Sequence, residues 1–181
     1  MGGDVSSLLT MEHIPPLDRL TAILREGIPL TGFMQVAIDH CDADQLRLVA
    51  PYEPNRNHKG AAFGGSLAAL AVVTGWSVME LACRERGADA EVVISHLGMD
   101  FLAPVTTTLI SHCARPGPET LAHFFDVFLI HGKSRIDLNV IIEGVRAHSV
   151  KCRATYVALH RLRESKQEAK EVCHGGCHDG A

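Results

Sequence analysis

No charged residue occurs between Ala61 and Met79. That run approaches the roughly 20 apolar residues a membrane span needs. It is diluted by Gly64, Gly65, Ser66, Thr74, Gly75, Ser77 and several alanines, and strand-like segments flank it on both sides. The expectation is therefore a helix buried on every side inside one domain rather than a span. Such a helix cannot stand alone. The rest of the chain has to cover it.

The flanking periodicities describe that cover. Residues 15–26 carry Leu17, Leu20, Ile23 and Leu24 at helical spacing, with Gly27 to end the helix. Two strands follow. In 31–40, Met34, Val36 and Ile38 alternate; in 45–52, Leu46, Leu48, Ala50 and Tyr52 do; Asp42-Ala43-Asp44 is the turn. A polar loop, 53–63, leads into the long helix, which ends near Gly87, a residue suited to the left-handed cap.

Beyond it, 90–103 reads as a strand. Val93, Leu97, Met99 and Phe101 face one way and His96, Gly98 and Asp100 the other, until Pro104 stops it. Another strand covers 106–115. Pro118 opens a second helix with Leu121, Phe124, Phe125, Phe128 and Leu129 on one face and Gly132 at its end. Strands at 134–143 and 147–160 alternate cleanly and join through Gly144-Val145-Arg146. The inventory is α+β: about six antiparallel strands wrapped around one long buried helix, the hot-dog architecture, with a second copy covering what remains.

With 181 residues, the chain fits one domain at 15–160, an N-terminal extension at 1–14 and a flexible charged tail at 161–181. A net charge of −4 argues against a nucleic-acid binder, and 5% aromatics leave little for stacking bases. Of six cysteines, the first four, Cys41, Cys83, Cys113 and Cys152, are scattered without disulfide-like spacing; with no cationic-then-apolar leader, this favours free thiols in a reducing cytoplasm. Met1 to Ser6 matches a myristoylation pattern too short to be decisive.

Asn57-His58-Lys59-Gly60-Ala61-Ala62-Phe63-Gly64-Gly65-Ser66 resembles the loop and helix mouth of hot-dog thioesterases, and Met99 to Val105 resembles their next strand. Thr74-Gly75-Trp76 and Gly132 to Leu138 narrow the likeness to the family named for the C-terminal domain of the YiiD protein. The resemblance spans about 15–160. It implies action on acyl thioesters of coenzyme A or acyl carrier protein: thioester hydrolysis, or malonyl-carrier-protein decarboxylation in fatty-acid synthesis. No cofactor is required, since the phosphopantetheine arm arrives with the substrate.

The residues carry their own chemistry. Backbone N–H groups of Gly64, Gly65 and Ser66 at a helix N-terminus can hold a thioester oxyanion. Asn57 can donate to a carbonyl or carboxylate, or serve as a turn residue. His58 can supply a proton, or stand idle on a surface loop. Asn55 and Lys59 are read as loop and arm contacts rather than chemistry, and Phe63 as a substrate contact. Ser66 lacks a Gly-x-Ser-x-Gly elbow and is not read as a nucleophile.

The first turns of the helix, Leu67 to Val73, hold no carboxylate, and Glu80 lies about 21 Å along the axis from Ser66. Asp100 is the remaining candidate, reaching in from a second copy. Hydrolysis wants a base; losing carbon dioxide from a malonyl thioester does not, and a carboxylate there would repel the substrate. Decarboxylation is therefore favoured over hydrolysis, and both over a non-catalytic acyl-thioester binder. In the tail, Cys173, His174, Cys177 and His178 are weak metal candidates, since four ligands in six residues crowd one tetrahedral site.

Overall fold

A computed structural model describes residues 16–145 and 147–161. The extension, the acylation pattern and the Cys/His tail lie outside the described residues. Helix α1 (Pro16–Ala22) runs into a single π turn, Ile23–Gly27. Leu20 and Leu24, one turn apart, are its buried face; Leu17 stays partly outside.

The expected strand at 31–40 is only half there. Pro29 starts a short helix, α2 (Pro29–Phe33), and β1 is confined to Ala37–Cys41. Two local effects outweigh the alternation. Proline fixes φ for a first helical turn, and the Thr31 hydroxyl hydrogen-bonds the carbonyls of Leu24 and Ile28 at 2.6 and 2.8 Å. Met34 and Val36 are buried all the same. The spacing tracked burial correctly and backbone incorrectly.

Strand β2 (Gln45–Ala50) returns beside β1. The Asp42 carboxylate closes their turn by accepting from the Asp44 and Gln45 amides, both at 2.8 Å, and from the His40 ring at 2.7 Å. These bonds, His40 foremost, hold its pKa down to about 2.

Helix α3 (Gly64–Glu85) is the 22-residue rod expected. It is long and apolar enough to cross a membrane, yet most of it is buried within the fold. It packs against β2 and against β3 (Ala90–Phe101), β4 (Leu109–Ala114), β5 (Lys133–Glu143) and β6 (Val150–His160). Leu70, Val78 and Met79 lose essentially all solvent contact; each such side chain contributes about 1.5–3 kcal/mol.

Several polar groups on the rod are matched, while the buried Ser77 hydroxyl finds no partner among the described residues. The Thr74 hydroxyl meets the Leu70 carbonyl and the Ser111 hydroxyl at 2.7 and 2.8 Å. The Trp76 indole donates to the Val92 carbonyl at 3.0 Å. The buried Glu80 pairs with Arg84 one turn on. Tyr156 lies flush on the rod and donates to the Val72 carbonyl at 2.8 Å. Gly75 makes room: a Cβ there would sit 2.5 Å from the Tyr156 oxygen.

The six strands form one antiparallel sheet in the order β1-β2-β4-β5-β6-β3. Helix α4 (Pro118–His131) connects β4 to β5 and ends at Gly132, whose φ is +65°. Phe124, Phe125 and Phe128 are buried as expected, but Leu129 is not; it is 70% exposed. The α4 stripe is narrower than the sequence suggests. Among the described cysteines, Cys41, Cys83, Cys113 and Cys152 are free. Burial raises the thiols of Cys83, Cys113 and Cys152 to about 11, 12 and 11.

One correction concerns β3. Its register slips between Ile94 and His96, so Ser95 is a bulge residue and everything before it changes face. Ile94, not Val93, shares a face with Leu97, Met99 and Phe101. Strand β3 is also an edge of the sheet. Ile94, Leu97 and Phe101 are 38%, 39% and 54% exposed.

Candidate functional site

Asn55 sets the loop that leads to the mouth of α3. It ends a 3-10 turn (Glu53–Asn55) and is only 1% exposed. Its side-chain amide donates to the carbonyls of Met34 and Pro51 at 2.9 and 2.8 Å. Its own carbonyl accepts the Phe63 amide at 2.7 Å. Asn55 therefore anchors both ends of the loop from inside and is not presented to a ligand. Its buried Oδ1 has no partner among the described residues.

Asn57 closes a tight turn. Its Oδ1 accepts the amides of Lys59 and Ala61 at 2.7 and 3.3 Å, and Gly60 takes a φ of +80°. This is the turn role that asparagine fills through its side chain. The Asn57 Nδ2 remains uncommitted among the described residues. His58 and Lys59 project from the tip of this turn and are exposed.

After the turn, Ala62 donates to the Val105 carbonyl at 2.7 Å. That bond places the loop beside the segment leaving β3. Phe63 is the N-cap of α3 in extended conformation, with no side chain capping the helix. The Leu67 amide takes the Phe63 carbonyl at 3.0 Å, the first helical bond. The amides of Gly64, Gly65 and Ser66 find no acceptor among the described residues. Together with the helix dipole, equivalent to about half a positive charge, they form an open anion-accepting end.

Two aromatic rings frame that end. A Cβ at Gly65 would lie 2.3 Å from the Phe63 ring, and one at Gly64 would lie 3.8 Å from the Phe101 ring. Glycine at 65 lets the ring fold over the helix backbone. On the Phe101 side runs an open groove of about 350 Å3, lined by Ala62, Gly64, Leu67 and the Phe101 to Val105 segment. None of these lining residues ionises. The wall from Phe101 to Val105 is the part that sequence reasoning underused. Its signal was present, since Pro104 has to turn the chain at the end of β3.

Asp100 sits elsewhere. It pairs across strands with Lys151 while Phe101 pairs with Val150, and consecutive strand residues face opposite sides. Phe101 therefore faces α3 and Asp100 the outer surface. The structure thus brings Gly64, Gly65, Ser66 and Phe63 together at the mouth, with Asn57, His58 and Lys59 on the adjoining turn. Asn55 lies beneath the loop, and Asp100 is not at its own chain's mouth. No group of three or more potential metal ligands occurs among the described residues.

Comparison with known proteins agrees with this geometry. A family model described as "Putative thioesterase (yiiD_Cterm)" matches residues 17–160. A protein of unknown function from Chlorobaculum tepidum is 34% identical, with a TM-score of 0.77 over 80% of this chain and 94% of its own. A structure named as a putative thioesterase from Shewanella oneidensis is 25% identical, with a TM-score of 0.68 over 80% and 97%. A probable thioesterase from Pseudomonas aeruginosa, 16% identical with a TM-score of 0.69 over 82% and 97%, shares the fold. A buried rod with a bare, glycine-rich amino end inside a six-stranded antiparallel wrap, matched across that whole span, makes this chain a member of the YiiD C-terminal putative-thioesterase family, within the hot-dog thioesterase superfamily.

Proposed function

We propose that the protein decarboxylates a malonyl thioester, carried by acyl carrier protein or coenzyme A, to the acetyl thioester. The observation that supports this reading is a mouth with open backbone donors and, among the described residues, no ionisable side chain lining its groove. The thioester oxygen accepts from the Gly64 and Gly65 amides. The bond between the α-carbon and the carboxylate breaks, and its electron pair moves into the thioester as an enolate. Carbon dioxide departs. The enolate carbon then takes a proton from His58 or from water. The Asn57 side-chain NH2 orients the departing carboxylate, and Lys59 and Phe63 contact the arm. A donor to the developing oxyanion is typically worth about 3–4 kcal/mol.

The second reading is hydrolysis, favoured by the family's own description. Water adds to the same carbonyl, the carbon–sulfur bond breaks, and thiol and acid leave. The two readings differ in product. Purified protein is incubated with malonyl-carrier protein and with malonyl-coenzyme A. Carbon dioxide and acetyl thioester are expected; free thiol with malonate overturns decarboxylation in favour of hydrolysis. Tight binding without turnover overturns both in favour of a non-catalytic acyl-thioester binder.

The active form is proposed to be a homodimer or higher homo-oligomer, built on the open edge of β3. A long edge strand with exposed Ile94, Leu97, Phe101 and Leu102 is a surface that natural proteins cover. Free thiols among the described cysteines suit a reducing compartment such as the cytoplasm.

A further inference from the structure

On the outer side of the sheet, away from α3, a second cleft of about 630 Å3 opens where β3, β6 and β5 run side by side. Strand register sets its lining. Lys151 lies opposite Asp100, Arg153 lies opposite Gly98, and Asn139 flanks Arg153 from β5. Directly opposed residues share a face, so this set points away from Phe101 and Met99. Gly98 has no side chain and leaves the floor low. His96 borders one end, and His148, in the turn between β5 and β6, borders the other.

The charge balance here runs against that of the chain. Net charge is −4 overall, yet neither Lys151 nor Arg153 has a carboxylate within 4.0 Å among the described residues. Two residues apart on one strand, they stand about 7 Å from each other. Two unneutralised cations and two imidazoles face one carboxylate, Asp100. Arginine and lysine spaced this way in a concave site suit phosphate oxygens.

The cleft and the mouth of α3 meet at one rim. Leu102 and Ala103 line the mouth groove. Their amides both donate to the Ser149 carbonyl, at 2.9 and 3.1 Å. The wall of the mouth is thus fastened to the turn that carries His148.

We propose that this outer cleft holds the phosphate groups of the carrier to which the acyl thioester is attached. Lys151 and Arg153 grip the phosphate, and the arm runs over the rim at Leu102 and Ala103. The proposal rests on the thioester reading above for the identity of the carrier. Its shared chemistry is a phosphate at the far end of a pantetheine arm, whether joined to a nucleotide or to a carrier protein.

Two variants test it by different physics. Lys151→Glu/Arg153→Glu reverses the charge. Gly98→Val fills the floor, where an added Cβ meets nothing closer than the His96 ring nitrogen at 3.8 Å. Binding of free coenzyme A and of phosphopantetheinylated carrier protein is measured by calorimetry, with pantetheine, which has no phosphate, as the control. At least tenfold weaker binding of one phosphate-bearing carrier to both variants is expected, with pantetheine unchanged; the carrier affected identifies the source. Equal binding to wild type and variants, or no binding of either carrier to wild type, overturns the proposal. Thioester turnover is a separate readout. Carrier binding lost in the variants of a protein that turns over no thioester sinks the function and keeps the cleft. Turnover with carrier binding indifferent to both variants keeps the function and sinks the cleft.

Discussion

Gly65 is where a single hydrogen decides the shape of the mouth. An alanine there puts its methyl into the Phe63 ring, and that ring, 57% exposed, is free to swing outward. Helix propensity favours alanine over glycine by up to about 1 kcal/mol. Gly65→Ala is therefore expected to change unfolding free energy by less than about 1 kcal/mol. Moving the ring and crowding the amides should lower turnover about 10–100-fold, since small misplacements at a reacting centre cost that much. Chemical denaturation and steady-state kinetics on the same variant check both halves. At this scale the sequence was informative about residue type and less so about role. The position of Gly64 and Gly65 at the start of the rod was legible, because glycine before an apolar run has few uses. The burial of Asn55 was not legible, because only the fold shows that it lies under the loop whose turn Asn57 closes.

Elements were read well where one periodicity ruled. Strands β5 and β6 alternate without interruption, and α3 has nothing that competes with helix. The misreadings arose where a local device outweighed the pattern. Pro29 and Thr31 bend the start of a strand into α2, and the Ser95 bulge turns half of β3 over. A bulge adds a residue without altering composition, so alternation alone cannot reveal it. The seam between α3 and β6 belongs to this scale too. Gly75→Ala forces a methyl against the Tyr156 ring, which has no exposed surface and no room to retreat. Overpacking of this kind costs about 1–3 kcal/mol. Urea denaturation should show that loss, and adding Tyr156→Phe should recover part of it by removing the oxygen closest to the new methyl. An unchanged midpoint for Gly75→Ala would mean that the helix and sheet are not locked here.

At the scale of the whole molecule, a long seam stays unsealed among the described residues. Strand β3 offers an edge of backbone donors and acceptors beside Ile94 and Leu97, and the Phe101 to Val105 segment continues that seam to the mouth. Leu97→Lys is expected to preserve the fold, since Leu97 is 39% exposed in the single chain. It should convert the proposed dimer to monomer in light scattering. Turnover should fall with assembly, because Phe101 and Leu102 at the mouth would lose their cover. A dimer that persists with full activity would place the interface elsewhere. The wrap around the rod was legible in the sequence, because a charge-free helix needs cover. The outer cleft was not, since it depends on which residues three strands bring into register.

The bare donors at the start of α3 carry a thermodynamic consequence. Three amides there find no acceptor among the described residues and stay open to a guest. Any guest that accepts from them binds the folded chain and not the unfolded one, so its affinity is added to the folding free energy. Substrate recognition and heat resistance are then two faces of one equilibrium, and a panel of acyl groups ranked by melting point would also be ranked by fit.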